Sequence, residues 1–241
     1  MSLSLAGRTV LVTGANGGLG EQFVHQALER GAGKVYAAAR TPRGWEDDRV
    51  VPLALDITDP DAVPGAAAAA ADVDLLINNA GIAPAGDSIS GAETELRRIF
   101  ETNFFGTLRV ANAFTPVLAA NGGGTLLNIL SAAAWISVPT GYAASKAAMW
   151  SATNSLRVLL QAQGTQVIGL LVGMIDTPMT ARWDLPKVSA ASVVAQAYDG
   201  VTTGSVEVLA DEPTRELKSM LSTKAEELYP VFAEQVASFV P

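Results

Sequence analysis

The chain has 241 residues, 49% of them hydrophobic, with 24 acidic against 16 basic side chains and a formal net charge of −8. That length suits one α/β domain with a sizeable core, and the acidity disfavours nucleic acid and anionic membranes as partners. Cysteine is absent and His25 is the single histidine, which excludes disulfides and thiol catalysis and argues against a Ser-His-Asp or histidine-rich zinc site. No apolar run approaches the ~18 residues of a membrane span. The opening residues lack the basic and apolar regions of a signal peptide, so a cytoplasmic protein is expected.

The first expected strand, 8–13, contains the β-branched run Thr9-Val10-Leu11-Val12 and leads into Thr13-Gly14-Ala15-Asn16-Gly17-Gly18-Leu19-Gly20, with a helix over 18–31. Strand, glycine turn and helix in this order form a phosphate-binding context. Gly14 permits a tight turn, and Gly18 or Gly20 lets backbone approach phosphates and lets the helix pack on the strand. The helix N-terminus offers free N–H groups to a pyrophosphate. A second strand over 34–39 ends in Arg40, with no carboxylate between Lys34 and Gly44. Asp or Glu there would favour NAD, whereas Arg accommodates a 2′-phosphate, so NADP(H) is expected, with Arg43 as a further contact.

A third strand, 50–54, is followed by Asp56-Ile57-Thr58 and a helix over 60–70. Asp56 suits either the adenine amino group or a local helix cap. The apolar strand 74–77 ends in Asn78-Asn79-Ala80-Gly81, small and amide residues that let backbone lie close to a flat ligand. A long helix over 92–120 contains Asn103, and the strand 124–130 runs into Ser131. On the next helix, 141–163, Tyr142 and Lys146 are four apart and share a face. A neighbouring ammonium would favour the phenolate of a Tyr and lower its pKa. The strand 166–172 precedes Gly173-Met174-Ile175-Asp176-Thr177. A helix over 190–202, a strand over 205–210 and helices over 213–222 and 224–238 complete the chain. Alternating apolar runs and helical stretches indicate a doubly wound parallel sheet, whose ligands sit beyond the C-terminal strand ends.

With these pieces in this order over roughly residues 6–180, the chain resembles the short-chain dehydrogenase/reductase superfamily. The resemblance implies a single Rossmann-type domain over 1–241. It implies Tyr142 as proton donor to a carbonyl, Lys146 as partner of Tyr142 and of the nicotinamide ribose, Ser131 on the substrate oxygen, and Asn103 holding a water. It also implies cofactor contacts at Gly14, Asn16, Gly18, Leu19, Gly20, Arg40, Asp56, Ile57, Asn79, Ala80, Gly81, Tyr142, Lys146, Gly173, Ile175 and Thr177. The partners it implies are a small carbonyl or alcohol substrate and further copies of the chain, as a homodimer or homotetramer. Trp135, Met174, Met179 and Trp183, in separate strand-end loops, suggest an apolar substrate pocket under a small lid.

Three features depart from the family pattern. Val172 stands where Pro is usual, Ser131 lies close to Tyr142 with Ser137 as a rival, and an atypical helical segment, 211–241, ends the chain. The leading reading is an NADPH-dependent carbonyl reductase. The alternatives are an NAD-linked alcohol or sugar dehydrogenase of the same family and a catalytically silent dinucleotide-binding sensor.

Overall fold

A computed structural model of the chain describes residues 4–136 and 138–236. Nine strands occur among these residues: β1 (Thr9–Thr13), β2 (Lys34–Ala39), β3 (Val50–Ala54), β4 (Leu75–Asn78), β5 (Thr125–Ile129), β6 (Gln166–Leu171), β7 (Ile175–Asp176), β8 (Val188–Ser189) and β9 (Glu207–Leu209). Seven of them form one parallel sheet in the order β3-β2-β1-β4-β5-β6-β9. The order reverses beside β1, which pairs with β2 on one side and β4 on the other. All four residues of β4 are buried, as both faces of a helix-covered parallel sheet require. This is the Rossmann-type α/β architecture.

The helices are α1 (Gly18–Glu29), α2 (Ala62–Ala69), α3 (Glu93–Phe100), α4 (Thr107–Ala120), α5 (Gly141–Leu159), α6 (Ala190–Thr203), α7 (Glu212–Ser219) and α8 (Ala225–Val236). On one face of the sheet α1 packs on α6. There the Tyr198 ring meets Phe23 edge-on at 5.5 Å, and its hydroxyl donates to the Phe23 carbonyl at 2.6 Å. On the other face Phe114 and Leu118 of α4 pack with Leu76 and Leu126 of the sheet. Leu217, Leu228 and Phe232 of α7 and α8 join that same core, next to Leu130 and Trp135. Helices α7 and α8 are therefore part of the body of the fold.

A polar ladder crosses the otherwise apolar centre. The Asn78 amide donates to Asn128 Oδ1 at 3.0 Å, and the Asn128 amide donates to Thr153 Oγ1 at 3.0 Å. Thr153 in turn donates to the Met149 carbonyl at 2.7 Å. The ladder joins β4, β5 and α5, and all three side chains are buried.

Two segments differ from the sequence reading. The helix expected over 92–120 is divided by a π-helical turn at Glu101–Gly106. The extra residue in such a turn breaks helical periodicity, so the apolar pattern did not show it. The stretch between β6 and α6, read from the sequence without strands, contains the β7–β8 ribbon, in which Ile175 pairs with Val188 and so brings the two ends of this stretch together. Residues 237 and 238 of the last expected helix lie outside the described residues.

Candidate functional site

The glycine turn sits at the switch point of the sheet, between the ends of β1 and β4. Gly14 has φ +67°, and a Cβ on Gly20 would lie 2.2 Å from the Gly14 carbonyl oxygen. Only glycine at 20 lets α1 start against the turn. The Thr13 hydroxyl accepts the N–H groups of Asn79 and Ala80, each at 3.0 Å. The Asn79 amide returns a bond to the Thr13 carbonyl at 2.8 Å. Asn79 therefore clasps the glycine turn to the end of β4. Asn16 donates to the Thr41 carbonyl at 2.7 Å and fixes the loop after β2.

A cleft of about 790 Å³ opens here, lined by Gly14, Asn16, Arg40, Asp56, Ile57, Ala80 and Gly81. Arg40 is exposed on its wall. Asp56 accepts both the N–H and the hydroxyl of Thr58, at 2.9 and 2.7 Å. Those bonds, with a lesser contribution from Arg40, hold its carboxyl below the usual range. Thus Asp56 caps its own turn and not α2. Leu19 and Gly20 lie buried beneath the turn, and Thr177 abuts Gly18, 3.6 Å from where a Cβ would stand. Arg43 does not fit its expected role as a further 2′-phosphate contact. It pairs with Glu21 and stacks on Trp45 at 4.2 Å, because the loop folds back onto α1. A close-packed glycine turn, a helix N-terminus and an exposed cation on the cleft wall fit a phosphorylated dinucleotide.

At the inner end of the cleft Gly81 meets the expected catalytic group. A Cβ there would lie 3.3 Å from Asn103 Oδ1 and 3.8 Å from Lys146 Nζ. Asn103, in the π-helical turn, accepts the Ile82 N–H at 2.8 Å, and its amide donates to the Ile82 carbonyl at 2.9 Å and to Ser145 Oγ at 3.1 Å. It holds the strand-end loop by its backbone. The Lys146 ammonium donates to the Ile129 carbonyl at 2.7 Å and lies 5.7 Å from the Tyr142 ring centre. Burial lowers its pKa to about 8.

Tyr142 departs from the expected depression of its pKa. Burial pushes the phenol up, and the opposing influence is the Ser131 hydroxyl beside it, not Lys146. Desolvation of the anion outweighs the single hydrogen bond that favours it. Ser131 also accepts the Ala133 N–H at 3.1 Å. Its rival Ser137 lies outside the described residues.

The expected substrate pocket is only partly assembled from the residues named for it. Trp135 turns into the core, 9% exposed, edge-on to Trp150 at 5.9 Å and beneath the Lys218 ammonium at 4.7 Å. A short 3₁₀ turn over 132–134 directs its indole inward, which corrects its placement in the pocket. Met174 and Ile175 are half-buried, and the Met174 carbonyl accepts the Val188 N–H at 2.9 Å. Met179 is exposed, and Trp183 lies under the Arg182 guanidinium at 3.8 Å. Arg182 donates to the Ala83 and Pro84 carbonyls at 3.0 and 3.2 Å, so the stretch between β7 and β8 contacts the loop after β4.

Three residues have structural roles that the motif reading did not assign. Thr13 is one. Asp87 accepts the first two N–H groups of α5, and Asp211 accepts the Gly173 N–H and the Thr214 N–H, each at 2.8 Å. No spacing marks Asp87, which is 54 residues from its partner. Asp211 had a signal, as an Asp followed by Glu-Pro at a helix start. It secures the turn at Gly173 that lacks the usual proline. Asp211→Ala is expected to cost about 2–4 kcal/mol, from a lost cap and a buried N–H left unpaired. A thermal melt should show the midpoint several degrees lower, and an unchanged midpoint would contradict that role.

Among the described residues no helix is long and apolar enough to cross a membrane, and no group of His, Cys, Asp or Glu is placed to hold a metal. The protein-family model for short chain dehydrogenases matches residues 8–187. A 1-deoxy-11-beta-hydroxypentalenate dehydrogenase of Streptomyces exfoliatus is 32% identical, over 82% of this chain and 78% of that protein. A short-chain dehydrogenase of Penicillium crustosum is 32% identical over 70% of this chain, which spans 66% of that protein, just under two thirds of its length. The crystal structure of a short-chain dehydrogenase from Burkholderia cenocepacia in complex with NADP superposes with a TM-score of 0.89 at 35% identity, covering 95% of this chain and 99% of that one. With the family match spanning most of its length, the chain belongs to the short-chain dehydrogenase/reductase superfamily, oxidoreductases that bind a nicotinamide dinucleotide.

Proposed function

We propose that the protein is an NADPH-dependent carbonyl reductase that converts a ketone or aldehyde to the alcohol. The observation that carries this reading is the grouping of Tyr142, a phenol and so protonated at neutral pH, with Ser131 and Lys146, whose ammonium approaches Gly81 in the lining of a cleft that also presents Arg40. A protonated phenol is the form that donates to an oxygen gaining charge, which is the direction of reduction. Ser131 orients the carbonyl oxygen toward Tyr142. Lys146, charged below a pH of about 8, faces Gly81 and the cofactor ribose and balances negative charge that develops on the phenol. Asn103 holds the Ile82 backbone and so fixes the floor on which the reacting groups meet. The bound dinucleotide supplies the hydride, and the glycine turn sets its position relative to Tyr142.

The NADP complex of the Burkholderia relative supports the phosphate-bearing cofactor. The reading includes a cytoplasmic homodimer or homotetramer, for which exposed Phe105, Val158 and Leu159 supply apolar surface. The direct test is consumption of NADPH across a panel of ketones and aldehydes. No turnover with any of them, alongside tight NADPH binding, would favour a silent sensor.

Arg40→Asp tests the cofactor assignment. A charge-assisted contact to a 2′-phosphate is worth roughly 1.5–3 kcal/mol, or about one to two decades of preference. Isothermal titration should show NADPH bound more tightly than NADH by the wild-type protein, with the preference narrowed or reversed in the variant. Equal affinities in the wild type would refute the role of Arg40 and favour NAD-linked oxidation.

A further inference from the structure

The segment from Gly81 to Ser90 crosses the open end of the sheet between β4 and α3. Asn103 clamps its start through both backbone groups of Ile82, as described above. Near its far end the Ile89 N–H donates to the Pro139 carbonyl at 2.9 Å. Between these clamps Asp87 turns toward α5. One carboxylate oxygen accepts the Gly141 N–H at 2.9 Å, and the other accepts the N–H of Tyr142 itself at 2.7 Å.

The first N–H groups of a helix have no partner within it, and one side-chain cap normally serves them. Here α5 already has such a cap, since the Thr140 hydroxyl accepts the Ala143 N–H at 3.1 Å. The Ala144 N–H reaches the Thr140 carbonyl at 3.2 Å. Asp87 is thus a second anchor, contributed by a distant loop, on the two residues that Thr140 leaves open. Close approach is possible because residue 141 is glycine. A Cβ there would lie 2.6 Å from Leu96 Cδ2 and 3.1 Å from the Asp87 carboxylate.

We propose that Asp87 is a positioning residue for Tyr142. Its two oxygens fix the start of α5 against the 81–90 loop, so that the phenol and a carbonyl resting on that loop keep their distance. The proposal rests on the reading of Tyr142 as proton donor. A displacement of about 1 Å at such a site lowers turnover by up to about 10²-fold. Asp87→Ala removes both acceptors, and Asp87→Asn keeps one.

The experiment measures kcat with the best carbonyl of the panel, expressed per NADPH site counted by calorimetry, so that unfolded protein does not enter. Asp87→Ala should lower kcat by about 10–100-fold, with Asp87→Asn between it and the wild type. The NADPH dissociation constant should stay within about twofold, because Gly14 and Arg40 are untouched. Amide hydrogen exchange should accelerate at Gly141 and Tyr142 in the alanine variant and stay unchanged at Ala143, which Thr140 still caps. A fall in kcat per site of less than tenfold in Asp87→Ala, or unaltered exchange at Gly141 and Tyr142, overturns the proposal. Tyr142→Phe is assayed alongside. If it retains turnover, the proton-donor reading fails first. If it is inactive while Asp87→Ala is fully active, only the role of Asp87 fails.

Discussion

Tyr142→Phe is expected to lower carbonyl reduction by about 10²–10⁴-fold, the range of a positioned general acid. The substitution keeps the ring, and with it the packing 5.7 Å from the Lys146 ammonium. The hydroxyl alone is lost, and Ser131 loses the phenol beside it. The cofactor cleft is lined by Gly14, Arg40 and Gly81, all of which the substitution leaves in place. NADPH affinity should therefore stay close to that of the wild type, and the loss should fall on kcat. Steady-state turnover measured together with calorimetric NADPH binding separates the two. Near-normal turnover by the phenylalanine variant would end the proposed mechanism.

Gly20→Ala should have an effect of similar weight on binding. The added Cβ would stand 2.2 Å from the Gly14 carbonyl oxygen, 2.9 Å from the Gly14 carbonyl carbon and 2.7 Å from the Asn79 amide nitrogen. Two of those atoms are backbone, so relief requires the turn to move away from α1. Overpacking costs about 1–3 kcal/mol or more, and a turn displaced by that much energy loses roughly one to two decades of dinucleotide affinity. Gly17→Ala is the matched control. Gly17 has φ −179°, extended backbone open to any residue, and a Cβ there meets nothing within 4 Å. Calorimetric NADPH titration and thermal melts of both variants test the contrast. Equal behaviour of the two would show that close packing of the turn is not what the site needs.

The sheet and most helices were legible because their signals are local. Short apolar runs mark β1, β2 and β6, and each lies within a residue or two of its expected bounds. The glycine turn and the Tyr142–Lys146 pair were equally plain, since fixed spacing on one chain segment carries the chemistry. What escaped the sequence reading depends on contacts across the fold. Asp87 and Asp211 act on backbone N–H groups 54 and 38 residues away, and no pattern along the chain records that. The fate of Trp135 depended on the turn after Ser131 and on a C-terminal helix that packs over it. The pKa of Tyr142 depended on the balance of burial against neighbours. Proximity to Lys146 on one helix face predicts only one side of that balance.

The ladder from Asn78 through Asn128 to Thr153 has a consequence for how the chain finds its structure. Apolar stretches such as Leu75-Leu76-Ile77 of β4 and Leu126-Leu127 of β5 discriminate poorly on their own between one alignment and the next, because each shift still matches hydrocarbon with hydrocarbon. A shift of one residue here would strand amide groups in a dry interior, each at about 1–3 kcal/mol. The ladder thus acts as a key that admits one alignment. Because its last member is on α5, seven residues beyond Lys146, the same key sets how far that helix can slide along the sheet.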